Sequence, residues 1–349
     1  MDGQYLTAVF EMRPTKHKAP MPTFFNHIIF VAIFLTFFQC GYGNSSEKLT
    51  FESYTPDSLV DIRSNKWKKG KVEISGRLYV PEGQQPFPAV IIVHGSSHVN
   101  NMDGWISSLT ASLNKQNIAA FILDSYTGRN IYSTASDQSI LSKAARVTDA
   151  GMALNLLRSD SRIKPNKIGI TGYSFGGVVA LHVIERKVIE RLSSKGVRFA
   201  ASLPVYPSCQ AYWKNPTLTS SPLLILAGQN DNWTKAIYCE DLVKKLKSKG
   251  HKASIKIYPK AHHGWIIRSN SAYLPDAWEF NDCGAGWIDD DGYTHAISGD
   301  ISTKEMSWSD FVYKLVNECA SQGVTVEFQS DAQEDTLKTS VDFFKTHFK

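Results

Sequence analysis

The sequence predicts an α/β fold in which a mostly parallel central sheet carries helices on both faces. Short β-branched and aliphatic runs alternate with helical patterns, such as residues 139–158, which keep one face apolar. This alternation is typical of parallel strands joined by helices. A length of 349 residues and a hydrophobic content of 42% suffice for one large core. The predicted strands are 72–80, 89–93, 119–123, 167–171, 199–203, 223–227 and 253–258.

The pentapeptide GYSFG at residues 172–176 narrows this class to an α/β-hydrolase fold. It follows the predicted strand 167–171 and precedes a helical pattern. A serine at a sharp turn between a strand and a helix is typical of a nucleophile elbow, whose glycines let backbone segments pass closely. The motif therefore predicts Ser174 as a nucleophile. The link 203–223 is too short for a large lid domain.

A serine nucleophile needs a base, and the base needs an orienting acid, in the chain order Ser, Asp or Glu, His. Asp231 is the predicted acid because it lies in a polar turn directly after the strand 223–227. The alternative is that Asp231 only caps the helix predicted over 235–247, since Asp is a favoured cap. The histidines that follow it in the chain favour the catalytic role.

Two adjacent histidines compete for the role of base. His262 and His263 come shortly after the strand 253–258 and Pro259. Neighbouring side chains in an extended segment point to opposite sides, so only one of them is expected to face Ser174. The spacing alone leaves the choice open.

Taken together, these segments resemble the dienelactone hydrolase family of α/β-hydrolases. The matching segments are HGSS at 94–97, DSY at 124–126, GYSFGG at 172–177, GQND at 228–231 and YPKAHHGW at 258–265. The resemblance implies the α/β-hydrolase fold and a Ser174, Asp231 and His263 triad, because the catalytic histidine takes the last place of the family's Tyr-Pro-x-Ala-x-His pattern. Dienelactone hydrolase itself has a cysteine nucleophile, so the serine here leaves the substrate open.

Acyl transfer also needs N–H donors for the negative charge that develops on the carbonyl oxygen. In this fold, one donor is the backbone N–H of the residue after the nucleophile, here Phe175, and the other lies in the loop after the third strand. We expect Ser96 to supply the second donor, with Ser97 as the alternative because the sequence does not fix the register of this loop.

The sequence predicts neither a metal site nor a cofactor. No histidine pair has convincing metal-ligand spacing on a helix. The acidic run 289–292 lacks the downstream ligands of a calcium loop and is better explained as a hairpin turn. No phosphate-binding loop is present. The four histidines considered and set aside as ligands are His94, His98, His262 and His263.

Charge argues against a nucleic-acid partner. The net charge of +5 is mild for this length, and the lysine-rich stretch 66–71 contains a single aromatic residue, too few for base stacking. The expected partner is therefore a small-molecule ester or lactone.

The N-terminus predicts an export signal over residues 1–43. The apolar run 28–38 is too short for a spanning helix of ~20 residues but fits a signal-peptide core of ~7–15. Basic residues precede the run and glycines follow it. The protein is thus expected in the periplasm or outside the cell. Alternatives are a true start at Met21, a lipidated Cys40 and an uncleaved signal anchor; the last two are the membrane attachments expected.

Four further cysteines are compatible with disulfides in an exported chain. The pairs Cys209–Cys239 and Cys283–Cys319 are favoured because each joins segments that are near in sequence. The alternative is four unpaired core cysteines.

Beyond the signal, residues 44–69 form a predicted polar lead-in, and 70–349 form one domain. An insertion at about 266–331 precedes a C-terminal helix at 334–348. The insertion is expected to contain a hairpin and an amphipathic helix that begins at Trp308. Because it starts just after the histidine pair, it is expected at the pocket rim. Its aromatic residues Tyr273, Trp278, Phe280 and Trp287 are candidate substrate contacts, although core packing is the favoured role for any one of them.

These features predict an exported serine hydrolase of carboxylic esters or lactones that works through an acyl-enzyme. A serine peptidase or an acyltransferase could use the same groups, and a non-catalytic binding module could share the fold. The intact serine, aspartate and histidine argue against the binding module.

Overall fold

The computed structural model describes residues 46–268, 272–296 and 300–349. The predicted export signal and Cys40 lie outside the described residues. Within those three ranges, the helices are too short or too polar to cross a membrane.

The strands and helices alternate through the first three quarters of the chain, as predicted. The strands are β1 (Ser46–Ser53), β2 (Val72–Tyr79), β3 (Phe87–Val93), β4 (Ala119–Asp124), β5 (Ile163–Tyr173), β6 (Ser202–Val205), β7 (Ala211–Trp213), β8 (Leu223–Gly228), β9 (Ala253–Tyr258), β10 (Ala272–Glu279), β11 (Gly286–Ile288), β12 (Thr294–Ala296), β13 (Ile301–Ser302) and β14 (Ser321–Val326). The α-helices are α1 (Leu59–Arg63), α2 (Asp103–Asn114), α3 (Lys143–Arg158), α4 (Phe175–His182), α5 (Arg186–Leu192), α6 (Ala236–Ser248), α7 (Trp308–Glu318) and α8 (Ser330–His347).

Eight strands form the central sheet, in the order β1-β2-β4-β3-β5-β6-β8-β9. The pairs from β4 to β9 are parallel, whereas β1 and β2 join the sheet in antiparallel pairs. All seven predicted strands are present, although the strand predicted at 199–203 lies at Ser202–Val205. The predicted fold class is therefore confirmed.

Both faces of the sheet are covered because successive strand residues point to opposite sides. On β3, Val90 and Ile92 pack in the core that contains residues of α2 and α8, whereas Ile91 and Val93 pack in the core formed with α3 to α6. The strand is buried on both sides, which explains its continuous apolar sequence.

The domain begins earlier than predicted. Residues 44–69 contain β1 and α1, and β1 pairs with β2 along its whole length. Arg129 and Asp149 form a buried salt bridge (2.8 Å) that also binds this segment. Ser53 Oγ donates to Asp149, and Arg129 donates to the carbonyl of Tyr54. The lead-in interpretation was wrong because an edge strand needs only one apolar face, and SEKLTFES is polar on the other.

The insertion forms two small sheets of its own. Strands β10 and β14 pair with each other, and β11 to β13 form a sheet with β7 from the link between β6 and β8. The predicted hairpin is the β11–β12 pair, and the predicted helix is α7. The link itself carries only the three-residue β7 and no lid domain.

Both favoured disulfides are present. Cys209–Cys239 joins the loop after β6 to α6, and Cys283–Cys319 joins the turn after β10 to the C-terminal end of α7. The second bond borders a small apolar core that includes Phe311 of α7.

Candidate active site

Ser174 occupies the sharp turn between β5 and α4. Its backbone has φ 53° and ψ −118°, a left-handed conformation that is costly for a residue with a side chain. The turn is tight: a Cβ at Gly172 would lie 2.1 Å from the carbonyl oxygen of Gly176, and a Cβ at Gly176 would lie 2.3 Å from that of Val93. The two glycines of the pentapeptide are therefore sterically required for this elbow.

The structure brings Ser174, His263 and Asp231 together. Ser174 Oγ lies 3.0 Å from His263 Nε2, and His263 Nδ1 lies 2.8 Å from Asp231 Oδ2. His262 lies elsewhere, with Nε2 at 3.7 Å from a carboxylate oxygen of Glu327. Of the two adjacent histidines, His263 is thus the one within hydrogen-bond distance of the serine.

Asp231 is buried at the carboxyl end of β8, and its carboxylate accepts several hydrogen bonds. Oδ1 accepts from the backbone N–H groups of Trp233 (2.9 Å) and Thr234 (2.8 Å), and Oδ2 accepts from Thr234 Oγ1 (2.9 Å). The aspartate therefore closes the turn before α6 and still faces His263. It does not cap the helix, because the N-cap of α6 is Lys235 and has no side-chain cap hydrogen bond, so the capping alternative is wrong.

These partners fix the tautomer of His263. A carboxylate only accepts hydrogen bonds, so Nδ1 carries the proton and Nε2 is left as an acceptor toward the serine hydroxyl. The ring lies between Tyr206 and Trp233, with centroid distances of 4.7 and 4.8 Å. Sequence reasoning missed both aromatic contacts; the predicted strand 199–203 ended too early to place Tyr206 at this edge.

The loop after β3 is organised by the buried His94. Its Nδ1 lies 2.9 Å from the Gly95 carbonyl oxygen and 3.0 Å from that of Ser97, while the backbone N–H of Ser125 donates to Nε2 (3.3 Å). Carbonyls only accept, so Nδ1 is the donor and the ring is neutral. Burial, together with the charge of Arg146, lowers the pKa of His94 to about 3, which keeps the ring neutral at ordinary pH.

Arg146 on α3 lies beneath the same loop and is fully buried. Its guanidinium donates to the carbonyls of His94 and Gly95, the latter at 3.1 Å. It also stacks over the rings of Tyr126 and Phe175, each 5.0 Å away. Sequence patterns gave no indication of this residue.

These hydrogen bonds orient the peptide groups of the loop. The N–H and C=O of a trans peptide point in opposite directions. Because the Gly95 carbonyl faces Arg146, the N–H of Ser96 faces away from it. The Ser96 carbonyl in turn accepts from Thr134 N–H at 2.7 Å. A Cβ built on Gly95 would lie 3.5 Å from Ser174 Cβ, so this loop runs directly beside the elbow.

A cavity of about 250 Å³ opens onto Ser174 and His263. The insertion supplies three apolar residues of its wall, Ile267, Leu274 and Val326. None of the four aromatic residues that the sequence suggested for the rim is among the lining residues. Tyr273 is 64% exposed, and the Trp278 carbonyl accepts from Trp233 Nε1. The residues that line this cavity are Gly95, Ser96, Ser97, Asn101, Met102, Ala135, Tyr173, Ser174, Tyr206, Trp233, His263, Gly264, Ile267, Leu274 and Val326.

Across the described ranges, no three His, Cys, Asp or Glu side chains are grouped so that they could hold a metal ion. The acidic hairpin uses its first carboxylate internally: Asp289 Oδ1 accepts from three backbone N–H groups of the turn, and Oδ2 lies 2.9 Å from His295 Nε2.

Comparison with known proteins shows the family of this chain. The model of the dienelactone hydrolase family matches residues 74–315, more than half of the chain. No curated protein sequence matches at a significant level.

The chain is also similar to several solved structures. A dienelactone hydrolase-like promiscuous phosphotriesterase from metagenomic libraries has a TM-score of 0.51 at 12% identity, covering 86% of this chain and 99% of its own. Esterase 2 of Thermogutta terrifontis has a TM-score of 0.44 at 17% identity, covering 56% and 81%. An acetyl ester-xyloside bifunctional hydrolase from Caldicellulosiruptor lactoaceticus has 0.41 at 20%, covering 55% and 79%. The chain therefore belongs to the dienelactone hydrolase family and is a carboxylic ester hydrolase with an α/β-hydrolase fold.

Proposed function

We propose that this hydrolase is an exported serine enzyme that cleaves small esters or lactones through an acyl-enzyme formed on Ser174. The observation that carries the proposal is the unbroken hydrogen-bonded series from Ser174 Oγ through His263 to Asp231. A serine hydroxyl becomes a useful nucleophile when such a base accepts its proton.

The reaction follows from these contacts. Ser174 Oγ attacks the ester carbonyl while His263 Nε2 takes its proton. When the tetrahedral intermediate collapses, the bond to the leaving alcohol breaks and His263 returns the proton to that oxygen. A water molecule then attacks the acyl-enzyme with His263 again as base, releasing the acid and restoring Ser174. Asp231 holds the His263 tautomer and stabilises the imidazolium.

The backbone N–H groups of Phe175 and Ser96 are the proposed oxyanion donors. Phe175 begins α4 directly after the nucleophile. Ser96 is supported by the orientation of its peptide group, whose carbonyl side is bound by Arg146. Ser97 stays the alternative donor, because the carbonyl of its peptide group is likewise bound, by the backbone N–H of Thr134.

The cavity favours a small substrate. Its volume of about 250 Å³ and its largely apolar wall suit an ester or lactone with a modest apolar group. The position outside the cytosol is supported by the two disulfides, because such bonds persist in oxidising compartments. Cleavage of the signal over residues 1–43 is tested by mass spectrometry of the mature N-terminus; an intact segment 1–20 would contradict it.

The triad is tested by covalent labelling with a fluorophosphonate probe and by turnover of short p-nitrophenyl esters. We expect labelling of wild type, loss of labelling in Ser174→Ala and His263→Ala, and most of the labelling retained in His262→Ala. The last two variants form a matched pair, because they remove the same ring from adjacent positions.

Other results would redirect the proposal. Labelling that depends on His262 rather than His263 would overturn the choice of base. Turnover of amide substrates would favour a peptidase, and acyl transfer to an added alcohol in preference to water would favour an acyltransferase. An unlabelled, inactive but folded wild type would favour a binding module.

A further inference from the structure

A second cavity lies between the hydrolase core and the insertion. It has a volume of about 140 Å³ and shares no lining residue with the catalytic cavity. Its walls are mainly apolar and come from α4, including Phe175 and Val178, and from α7, including Trp308, Phe311 and Leu315. We call it the Lys143 cavity, after the basic residue of α3 in its wall.

Lys143 is an unusual component of such a wall. It is only 7% exposed, yet among the residues that the structure describes it has no hydrogen bond or ion pair. Its Nζ lies over the ring of Trp308, at 5.6 Å from the centroid. Burial lowers the pKa of this amine to about 8, so at neutral pH most of it still carries its charge.

The polar neighbours do not neutralise that charge. Gln210 uses its amide N–H groups on the carbonyls of Phe280 and Gly284, and His295 pairs with Asp289. The buried His182 is no counter-ion either: burial and the nearby charge of Lys143 lower its pKa well below the usual range, so its ring is neutral.

A buried ammonium without an anion is unfavourable, and a bound anion would relieve this cost. Apolar walls around a single cation match a ligand with one negative charge and an apolar body. The volume of the cavity limits the size of this ligand, because a cavity of roughly 150 Å³ holds one benzene ring.

We propose that the Lys143 cavity binds an apolar monocarboxylate of about the size of benzoate, with its carboxylate on Lys143 Nζ and its apolar part against Phe175, Trp308 and Phe311. This site is separate from the catalytic pocket, and the proposal does not depend on the role proposed for Ser174.

Binding is tested by titrating benzoate into the full-length, disulfide-bonded protein at pH 7, with calorimetry and with tryptophan fluorescence as a local reporter through Trp308. We expect saturable binding that is at least ten-fold weaker in Lys143→Met and Lys143→Gln. Lys244→Met is the matched control, because it removes an exposed lysine from α6 and should bind as wild type does. The neutral analogue benzamide should bind at least ten-fold more weakly than benzoate.

Three results would overturn the proposal. The first is the absence of saturable benzoate binding to the wild type. The second is equal binding in wild type and both Lys143 variants, which would place the ligand elsewhere, such as at Ser174. The third is equal affinity for benzoate and benzamide, which would mean that the ammonium plays no part. Circular dichroism confirms that each variant is folded. Ester turnover is measured separately, so a failure of the proposed catalytic role is distinguished from a failure of benzoate binding.

Discussion

The loop beside Ser174 and the Lys143 cavity each contain a buried cation from the first turns of α3, but the two cations differ in their partners. Arg146 donates to two carbonyls of the loop and stacks on two rings. Lys143, three residues earlier, has no hydrogen bond or ion pair within the described ranges and lies over the face of Trp308. The comparison separates two uses of burial: one charge holds protein atoms in place, whereas the other is left available for a ligand.

Removing the nucleophile should have the largest effect. We expect Ser174→Ala to lower kcat for a p-nitrophenyl ester by at least about 10⁴-fold, because no other group can form the acyl-enzyme. Benzoate binding at the Lys143 cavity should remain unchanged in the same variant. Steady-state kinetics and calorimetry on one preparation measure both, and a parallel loss of binding would show that the two cavities are not independent.

Arg146→Met should impair catalysis although the Arg146 side chain does not contact the reacting atoms. It leaves the His94 carbonyl without its donor and the Gly95 carbonyl with His94 Nδ1 alone, so we expect about 2 kcal/mol less stability. Loss of support for the Ser96 N–H should lower kcat by roughly 10²-fold.

The kinetic pattern distinguishes this positioning role from a general loss of structure. KM should change little, and Arg146→Lys should restore part of kcat, because one ammonium can still donate to a carbonyl. An unchanged kcat in folded Arg146→Met protein would refute the positioning role.

Substitution of Lys143 by Met should have the opposite effect on the free energy of unfolding from substitution of Arg146 by Met. We expect Lys143→Met to raise the free energy of unfolding at pH 7 by up to about 3 kcal/mol, the cost that corresponds to a pKa lowered from 10.5 to about 8. Urea unfolding of wild type and variant measures the difference. A variant less stable than wild type would mean that the ammonium has a stabilising partner in the protein.

This gain should shrink as the pH rises. Between pH 8 and 10.5 the folded chain binds fewer protons at Lys143 than the unfolded chain does, so wild-type stability increases across that interval relative to the variant. The two free energies of unfolding should therefore converge near pH 10.5. A gain that stays constant from pH 7 to 10.5 would contradict the lowered pKa.

His262→Ala should have the smallest effect, within about two-fold on kcat/KM. Its Nε2 lies 3.7 Å from a carboxylate oxygen of Glu327, and such a partly exposed pair contributes about 0–1 kcal/mol to stability. A pH–rate profile identical to that of wild type would complete this control, and a shifted profile would show that His262 influences the catalytic base.

Much of this site follows from local sequence because strand ends and turns are local. The buried strands are continuous apolar runs, and Ser174 and Asp231 each follow one of them, whereas His263 follows the alternating edge strand β9. The prediction was poorer where contacts between distant segments determine the bounds of an element or the burial of a residue. The helix predicted from residue 139 begins at Lys143, since Ser142 Oγ caps it by accepting from Ala145 N–H.

The two basic residues of α3 were missed for a related reason. A helical pattern with one apolar face implies that its charged residues face solvent, but every residue from 143 to 151 of α3 is buried. The face of α3 that carries Lys143 and Arg146 is covered by the loop after β3 and by the insertion, which are distant in sequence. The hydrophobic period of a helix cannot show that a lysine and an arginine on its polar face are buried by segments that are distant in sequence.

The disulfide Cys283–Cys319 has a practical consequence for handling the protein. It closes the segment that contains β11, β12 and α7, and hence most of the outer wall of the Lys143 cavity. Material expressed in a reducing cytosol lacks this cross-link, and we expect it to retain the central sheet while the outer wall loosens. Ligand screens should therefore use preparations from an oxidising host or refolded with a thiol–disulfide couple.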